Sequence, residues 1–389
     1  MNGLERRRAM MGQNALPADV IIYRKWSDND AALMDVIYAQ KWSKSPLYMT
    51  KREAEAVTDI GTAFRYNESI TNFEALQYFT SVKTINSSFE GCTKLQKVIL
   101  PNNVQNIYNT AFKGTAIKSI FIPKSVVRFN ANAFTYCGNL ETIEVDQDNG
   151  KYDSRDGCNA IIETSTNIMH AGCKNTIIPN TVTHLYTNAF AGCTGLTSIE
   201  IPNSIRKVGF NCFADCTNLT RITLSRNNTI VEFANGAFNS KSTEIEWNGI
   251  CLPECTSMGV KAFGDTGELV DKRIYLPKIS SCGTWAIGVV VNAISDAYLY
   301  IGENATSIGY PLVPNQKTLT MVCMAKTPPA ITSANTFPCK VLYVPRESIE
   351  TYKNTEYWKN IYKEEIKAVE DIDPNLLAYM KFETDIKPT

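Results

Sequence analysis

Cysteine and histidine are the residues of this sequence that could bind a metal or act as nucleophile and base, and it contains twelve cysteines and two histidines. Zinc sites need ligands at short, fixed spacings such as C-x-x-C. No such pair occurs, and the shortest cysteine spacings, such as Cys212 with Cys216, leave three residues between the two thiols. With only His170 and His184 to complete a ligand set, we expect no metal site and no cofactor.

Catalysis of the serine or cysteine hydrolase type requires a nucleophile beside a positioned base. His184 falls between two apolar positions on the expected outward side, and His170 lies in an inserted segment. The sequence contains no G-x-S-x-G, P-loop, H-E-x-x-H or dinucleotide-binding motif. The carboxylate pair Asp371 and Asp373 lies in a C-terminal tail, where no cleft is expected. We therefore predict that the protein is not an enzyme.

Three aspartates of the inserted segment, Asp146, Asp148 and Asp153, could form a calcium loop. Their spacing lacks the glycine and the terminal glutamate of an EF-hand. We interpret them as a solvated turn.

Charge and hydropathy exclude several classes of partner. The 389 residues contain 39 basic and 39 acidic side chains, so no basic excess indicates nucleic acid or an anionic membrane. No apolar run approaches the roughly 20 residues of a transmembrane helix. The charged start, MNGLERRRAMM, is followed by no apolar region, and we expect no secretory signal in the chain as given.

The cysteines belong to a repeat. Phenylalanines recur 22 or 23 residues apart, first at Phe89, Phe112 and Phe134 and again at Phe190 and Phe213. In four of these repeats a cysteine follows at the third position, a leucine at the sixth and branched aliphatics at the ninth. The four cysteines are Cys92, Cys137, Cys193 and Cys216. Prolines precede four phenylalanines by eleven residues, at Pro101, Pro123, Pro179 and Pro202.

A repeat of this length cannot bury its own apolar side, so successive repeats must stack with equivalent residues in columns. The alternation in LTSIEIP directs Leu196, Ile199 and Ile201 inward and predicts a short strand that ends at the proline. We interpret the repeated cysteines as small apolar fillers of one column. Their thiols are expected to be reduced and unreactive in the native protein.

This repeat resembles the BspA-like bacterial leucine-rich repeat, which runs roughly AF-x-x-C-x-x-L-x-x-I-x-I-P. The resemblance covers about residues 51 to 345 and reaches residue 28 through the entry segment. It implies a right-handed leucine-rich-repeat solenoid that is β-rich, with short parallel strands, short helical or 3-10 turns, and helical N- and C-terminal caps. Relatives of this type are surface proteins of gut and oral bacteria that mediate adhesion.

The ends and irregular coils complete the predicted organisation. Thr50 and Glu53 form a capping-box pattern for an entry helix. CNAIIE and NIMHAG predict the two strands of a hairpin in a variant coil at about 146–179, and the coils at about 250–340 are degenerate. The predicted parts are an N-terminal lead (1–27), a helical N-terminal cap (28–58), a leucine-rich repeat array (59–345), a helical C-terminal cap (346–370) and a tail (371–389).

Function is expected in the residues that the repeat leaves free. We predict a non-enzymatic module that binds a host protein or glycan and lies outside the cell or on its surface. The missing signal keeps open an alternative, a phage virion component that carries the same repeats for structure or receptor contact. The tryptophans could stack on sugars, but caps and degenerate coils bury tryptophan as readily. The outward strand-face residues expected to bind are Lys97, Lys118, Glu141, Thr197, Ser198, Glu200 and Arg221.

Overall fold

The computed structural model describes residues 20–24, 28–242, 245–264, 268–288, 296–309, 319–331, 339–385 and 387. The chain divides into two compact units. Unit 1 consists of residues 1–166 and 170–175, and unit 2 consists of residues 167–169 and 176–389. Most of the predicted N-terminal lead, including the RRRAMM stretch, lies outside the described residues.

Unit 1 consists mainly of very short strands. Its α-helices are α1 (Asp28–Ala39) and α2 (Lys51–Ala56), and its 3-10 helices are Glu74–Tyr78, Ala131–Phe134 and Arg155–Gly157. Its strands are β1 (Ile21–Arg24), β2 (Tyr48–Thr50), β3 (Asn72–Phe73), β4 (Thr84–Asn86), β5 (Lys97–Val98), β6 (Asn106–Tyr108), β7 (Ser119–Ile122), β8 (Arg128–Phe129), β9 (Thr142–Val145), β10 (Tyr152–Asp153), β11 (Ala160–Glu163) and β12 (Ile168–Gly172), of which the first two residues of β12 belong to unit 2.

Equivalent strands of successive coils in unit 1 pair in parallel. β3 pairs with β5 and β7 with β9, whereas β4, β6 and β8 form a second parallel sheet. The phenylalanine column lies inside these coils. The rings of Phe64, Phe89, Phe112 and Phe134 stack with centroid separations of 5.5, 5.3 and 5.6 Å. These separations are close to the spacing of neighbouring strands, so each coil contributes one ring to a continuous stack.

The entry to unit 1 is a helical cap with an added strand pair. The predicted capping box is confirmed: Glu53 N–H donates to Thr50 Oγ1 at 3.3 Å, and Thr50 N–H donates to the Glu53 carboxylate at 2.8 Å. Helix α1 buries Leu33, Met34 and Ile37 completely. The antiparallel pair of β1 with β2, which the sequence did not predict, lies beside these helices.

The inserted segment forms strands where CNAIIE and NIMHAG predict them, as β11 and β12, and β10 pairs with β11 in antiparallel fashion. Asn149 anchors its start. The Asn149 side-chain amide donates to the carbonyls of Pro123 and Val126, both at 3.0 Å, and its oxygen accepts the N–H groups of Lys151 and Tyr152, both at 2.9 Å.

Unit 2 also consists of short strands, with its helices near the C-terminus. The helices are α3 (Ile349–Asn354) and α4 (Pro374–Met380), and the 3-10 helices are Arg346–Ser348, Trp358–Asn360 and Val369–Asp371. The strands are β13 (His184–Leu185), β14 (Ser198–Ile201), β15 (Lys207–Val208), β16 (Arg221–Leu224), β17 (Glu232–Phe233), β18 (Glu246–Trp247), β19 (Ile250–Cys251), β20 (Ser257–Met258), β21 (Glu268–Leu269), β22 (Arg273–Leu276), β23 (Ser281–Cys282), β24 (Ala297–Ile301), β25 (Ser307–Ile308), β26 (Leu319–Cys323), β27 (Ala330–Ile331), β28 (Cys339–Val344) and β29 (Tyr362–Ala368).

The parallel strands in the described part of unit 2 lie in four sheets. The longest run is β13-β15-β17-β20-β23-β25-β27, and the others are the pair β14-β16, the pair β18-β21 and the sheet β19-β22-β24-β26-β28-β29. The described residues of both units, counted together, contain about 12 turns of parallel strands and few helices, and the predicted solenoid is confirmed. Among the described residues, no helix has the length and apolarity to cross a membrane.

Two columns fix the spacing of the coils in unit 2. The ring of Phe213 stacks between Phe190 at 4.9 Å and Phe238 at 5.0 Å, with interplanar angles of 8° and 9°. A glycine column brings backbones together: a Cβ on Gly283 would lie 2.4 Å from the nitrogen of Val260. Any larger residue would push these two coils apart.

The C-terminal end differs from the prediction of a helical cap over 346–370. After α3 the chain forms β29, which pairs in parallel with β28. A strand forms here because β28 would otherwise be an exposed sheet edge with unpaired backbone groups. The predicted tail also differs, since residues 374–380 form α4, N-capped by Asp373, and Met380 is completely buried.

Candidate binding surface

Four of the predicted site residues lie on or directly beside the outward face of strands β14 and β16. Ile199, Ile201 and Ile222 point into the core, and the alternating residues are exposed. In the parallel register Ser198 lies opposite Arg221, and Glu200 lies opposite Thr223. All four of these outward side chains are exposed. We call Thr197, Ser198, Glu200, Arg221 and Thr223 the polar strand face of unit 2.

Thr197 lies just before β14 and is held by the next coil. The N–H and the hydroxyl of Thr220 both donate to the Thr197 carbonyl, at 2.9 and 3.1 Å. The Thr197 side chain itself is exposed. The structure therefore brings the predicted residues Thr197, Ser198, Glu200 and Arg221 together on one surface of two adjacent coils.

The other three predicted residues lie in unit 1. Lys97 is exposed on β5, and Lys118 is exposed just before β7. Glu141 follows in the next coil, where its N–H donates to the Lys118 carbonyl at 2.9 Å. The Lys174 ammonium donates to the Glu141 carboxylate at 2.7 Å and holds the pKa of this carboxyl below its usual value. Glu141 is thus a half-exposed member of an ion pair, which sequence spacing could not indicate because Lys174 lies in the inserted segment.

The cysteine column has a structural role that the sequence did not reveal. The thiol of each of three column cysteines donates to the carbonyl of the phenylalanine one coil earlier: Cys92 to Phe64 at 2.9 Å, Cys137 to Phe112 at 3.0 Å, and Cys216 to Phe190 at 3.1 Å. All twelve cysteines are free thiols. Burial raises the pKa of both Cys92 and Cys137 to about 11, which keeps these thiols protonated and able to donate.

The histidines and aspartates do not assemble into a reactive group. Burial, and then the nearby Lys207, lower the pKa of His184, and burial lowers the pKa of His170 despite the neighbouring Glu163. Asp153 is engaged by Arg155 at 2.8 and 2.6 Å and by Thr164 at 2.9 Å. Within the described ranges, no three His, Cys, Asp or Glu side chains converge as metal ligands.

A model of the BspA type leucine-rich repeat region matches residues 58–156 and 162–286 in six copies. The chain belongs to the BspA type leucine-rich-repeat family. The matched ranges include the phenylalanine, cysteine and leucine columns of both units.

Solved structures with similarity to this BspA-type chain come from several bacteria. A leucine-rich cell surface protein of Faecalibacterium prausnitzii is 25% identical, with a TM-score of 0.42, and the match covers 57% of this chain and 63% of that protein. The pneumococcal vaccine antigen PcpA is 18% identical, with a TM-score of 0.44, over 74% and 66% of the two chains. A leucine-rich-repeat protein of Bacteroides ovatus is 17% identical, with a TM-score of 0.39, over 79% and 86%. A search of curated proteins gave no match.

The tryptophans of this BspA-type chain are mostly structural. Trp247 and Trp358 are 3% and 1% exposed, and Trp42 packs its ring against Phe64 at 5.9 Å. Trp285 differs, since it is 37% exposed and has a φ of 56°. Trp26 lies outside the described residues.

The strand face changes character toward the C-terminus of unit 2, which the sequence prediction missed. The outward positions of β22, β24, β26 and β28 form an aromatic strand face, defined by Arg273, Tyr275, Tyr298, Tyr300, Val322 and Tyr343. A signal was present in the sequence, because RIYLP and AYLYI place tyrosines at the positions that hold serine, glutamate and arginine in β14 and β16.

Proposed function

We propose that the protein is a non-enzymatic binding module of the bacterial cell surface that recognises a protein or glycan through the polar strand face of unit 2. The observation that carries this proposal is the separation of roles on β14 and β16. Buried isoleucines hold the coils, while the alternating Ser198, Glu200 and Arg221 are exposed and can vary without disturbing a column.

The chemistry of the face suits a polar ligand. Hydroxyls of Thr197, Ser198 and Thr223 can donate and accept, Glu200 accepts, and the guanidinium of Arg221 offers a planar set of donors. Strands fix the spacing of these groups, so little conformational entropy is lost when a ligand binds them. Mixed charge rather than a basic stripe favours a protein or glycan over nucleic acid.

Binding is tested by probing arrays of glycans and of host proteins with the purified chain, followed by titration of any ligand found. Arg221→Glu reverses a charge in the polar strand face. Arg206→Glu makes the same charge change at an exposed residue beside β15, which belongs to a different sheet from β14 and β16, and is the matched control.

Arg221→Glu is expected to weaken binding about tenfold or more, because a repulsive charge replaces a donor at the contact. Arg206→Glu should leave the affinity nearly unchanged. Equal effects of the two substitutions would place the ligand elsewhere and contradict the assignment of the site.

A further inference from the structure

The aromatic strand face of unit 2 is covered by a segment of the same chain. Tyr298 and Tyr300 are 6% and 8% exposed although they occupy outward strand positions. They pack in one apolar cluster with Val369, Ile372 and Met380. We call residues 373–385, which contain α4, the C-terminal strap.

The strap presents apolar side chains to the sheet. Leu376, Leu377 and Tyr379 of α4 pack against the cluster that contains Tyr298 and Tyr300. The ring of Tyr379 meets that of Tyr298 edge-on, with centroids 5.6 Å apart and an interplanar angle of 90°. The contact therefore has the composition of a protein interface, in which tyrosines supply large rigid surfaces.

Arg273 donates hydrogen bonds to two backbone carbonyls of the strap and to one carboxylate of the strap. Its Nε and Nη2 donate to the carboxylate of Asp271 at 2.8 and 2.5 Å. Asp271 lies two residues before Arg273 in the chain and fixes the orientation of the guanidinium. The Nη1 atom of Arg273 donates to the carbonyls of Tyr379 and Thr384 at 3.1 and 2.8 Å, and Nη2 also donates to Asp385 at 2.8 Å. All five N–H donors are thus used, two on Asp271 and three on the strap.

The rings of the strap also enclose this guanidinium. The Cζ atom of the Arg273 guanidinium lies 4.4 Å from the ring centre of Tyr379 and 4.2 Å from that of Phe382. Arg273 is only 3% exposed, and the strap supplies both of these rings and three of the hydrogen bonds that its guanidinium makes. Because Asp271 already neutralises and orients it, the guanidinium is preorganised for any chain segment that offers carbonyls and a carboxylate at the same place.

The strap is held mainly by its contacts with Arg273 and with Arg226, and few of its apolar side chains are fully buried. The Arg226 guanidinium lies 3.0 Å from the Asp385 carboxylate and 5.1 Å from the ring centre of Phe382. Helix α4 has 7 residues, Met380 is its one fully buried residue, and the Asp385 side chain is 65% exposed. A helix of this length has little stability of its own in water. Local opening of such a segment costs less free energy than unfolding of the sheet beneath it.

We propose that the aromatic strand face is a second binding site, for a partner protein segment with a Leu/Tyr/Met helical turn followed by a carboxylate, and that the C-terminal strap occupies it as an intramolecular ligand. Binding of the partner requires release of the strap. The tether gives the strap an effective concentration in the millimolar range, so the partner must bind tightly or the strap must first be weakened. This site lies on other strands than the polar strand face, and its test is independent of the proposed function.

The first test uses the unmodified full-length chain. Native-state hydrogen exchange should show the amides of Leu377 and Lys381, which donate to Asp373 and Leu377 at 3.0 and 3.1 Å, exchanging at least about tenfold faster than those of β24. If the strap amides exchange only together with the sheet, the strap does not open and the proposal is wrong.

The second test supplies the strap in trans. A fluorescent peptide of residues 371–387 is titrated by anisotropy against the full-length chain, against Leu376→Ser/Met380→Ser, and against Asp385→Asn, which changes an exposed side chain and should fold normally. The weakened variants should bind the peptide at least about tenfold more tightly than the unmodified chain. Addition of Tyr298→Ala should abolish this gain.

Three results would overturn the proposal. The peptide could bind all variants equally, or bind none of them while circular dichroism shows a normal fold, or bind without regard to Tyr298. Concentration-dependent dimers of the weakened variants, seen by light scattering, would assign the site to strap exchange between two copies instead of to a partner protein.

Discussion

The phenylalanine column predicts that two phenylalanines three residues apart differ greatly in their contribution to stability. Phe213 is completely buried, and its ring stacks on both Phe190 and Phe238 at 4.9 and 5.0 Å. Phe210 is 46% exposed. Replacing each with alanine removes the same atoms from the same coil, so the pair separates the effect of column packing from that of composition.

The magnitudes follow from burial. Phe→Ala in a packed core costs about 3–5 kcal/mol, and Phe213→Ala should lie near the upper limit because two stacked contacts are lost as well. Phe210→Ala should cost about 1 kcal/mol, since roughly half of its side chain is already in water. With a urea dependence of about 3 kcal/mol per molar, the unfolding midpoint of Phe213→Ala should fall by about 1.5 M.

Urea unfolding followed by circular dichroism measures both midpoints, and the unmodified chain is the reference. A midpoint for Phe213→Ala that matches that of Phe210→Ala would show that the ring stack does not stabilise unit 2. The account of the coil spacing would then be wrong.

Three further predictions concern the thiols, the glycine column and the inserted segment. Burial raises the pKa of Cys137 from 9.0 to about 11, which lowers its thiolate population about 100-fold at pH 8, so thiol labelling of the native protein should be slow. The stability gained by burying the neutral thiol is present below about pH 9 and is lost as the pH rises toward 11. Gly283→Ala should lower the melting temperature by several degrees because its Cβ would meet backbone at 2.4 Å, whereas Gly150→Ala, with no atom within 4 Å, should not. Asn149→Ala should cost about 2–4 kcal/mol in the free energy of unfolding, measured by denaturant titration, because three buried hydrogen bonds and one partly buried hydrogen bond are lost.

Sequence reasoning predicts the columns because each is made of one residue type at one spacing. The phenylalanine column, with Phe190 and Phe213, and the cysteine column, with Cys216, repeat at fixed intervals along the chain. Stacking follows because a single repeat is too short to bury these side chains alone. The capping box of α2 is equally local, since Thr50 and Glu53 contact each other within one turn.

The parts that the sequence did not predict depend on contacts between residues far apart in the chain. Arg273 meets Asp385 across 112 positions, and Lys174 meets Glu141 across 33, so no local pattern contains either pair. The strand β29 forms where helical spacing was expected because the edge of β28 needs a partner, which is a property of the assembled sheet.

We propose that the polar strand face of unit 2 binds the ligand, on coils that the buried columns hold in place. Carbodiimide labelling of carboxylates, read by mass spectrometry with and without the ligand found on the arrays, tests this binding most directly. Glu200 should be labelled in the free protein and protected in the complex, while Glu232 on β17, 43% exposed and 2.9 Å from Lys207, should be unchanged. Protection of Glu232 without protection of Glu200 would contradict the claim.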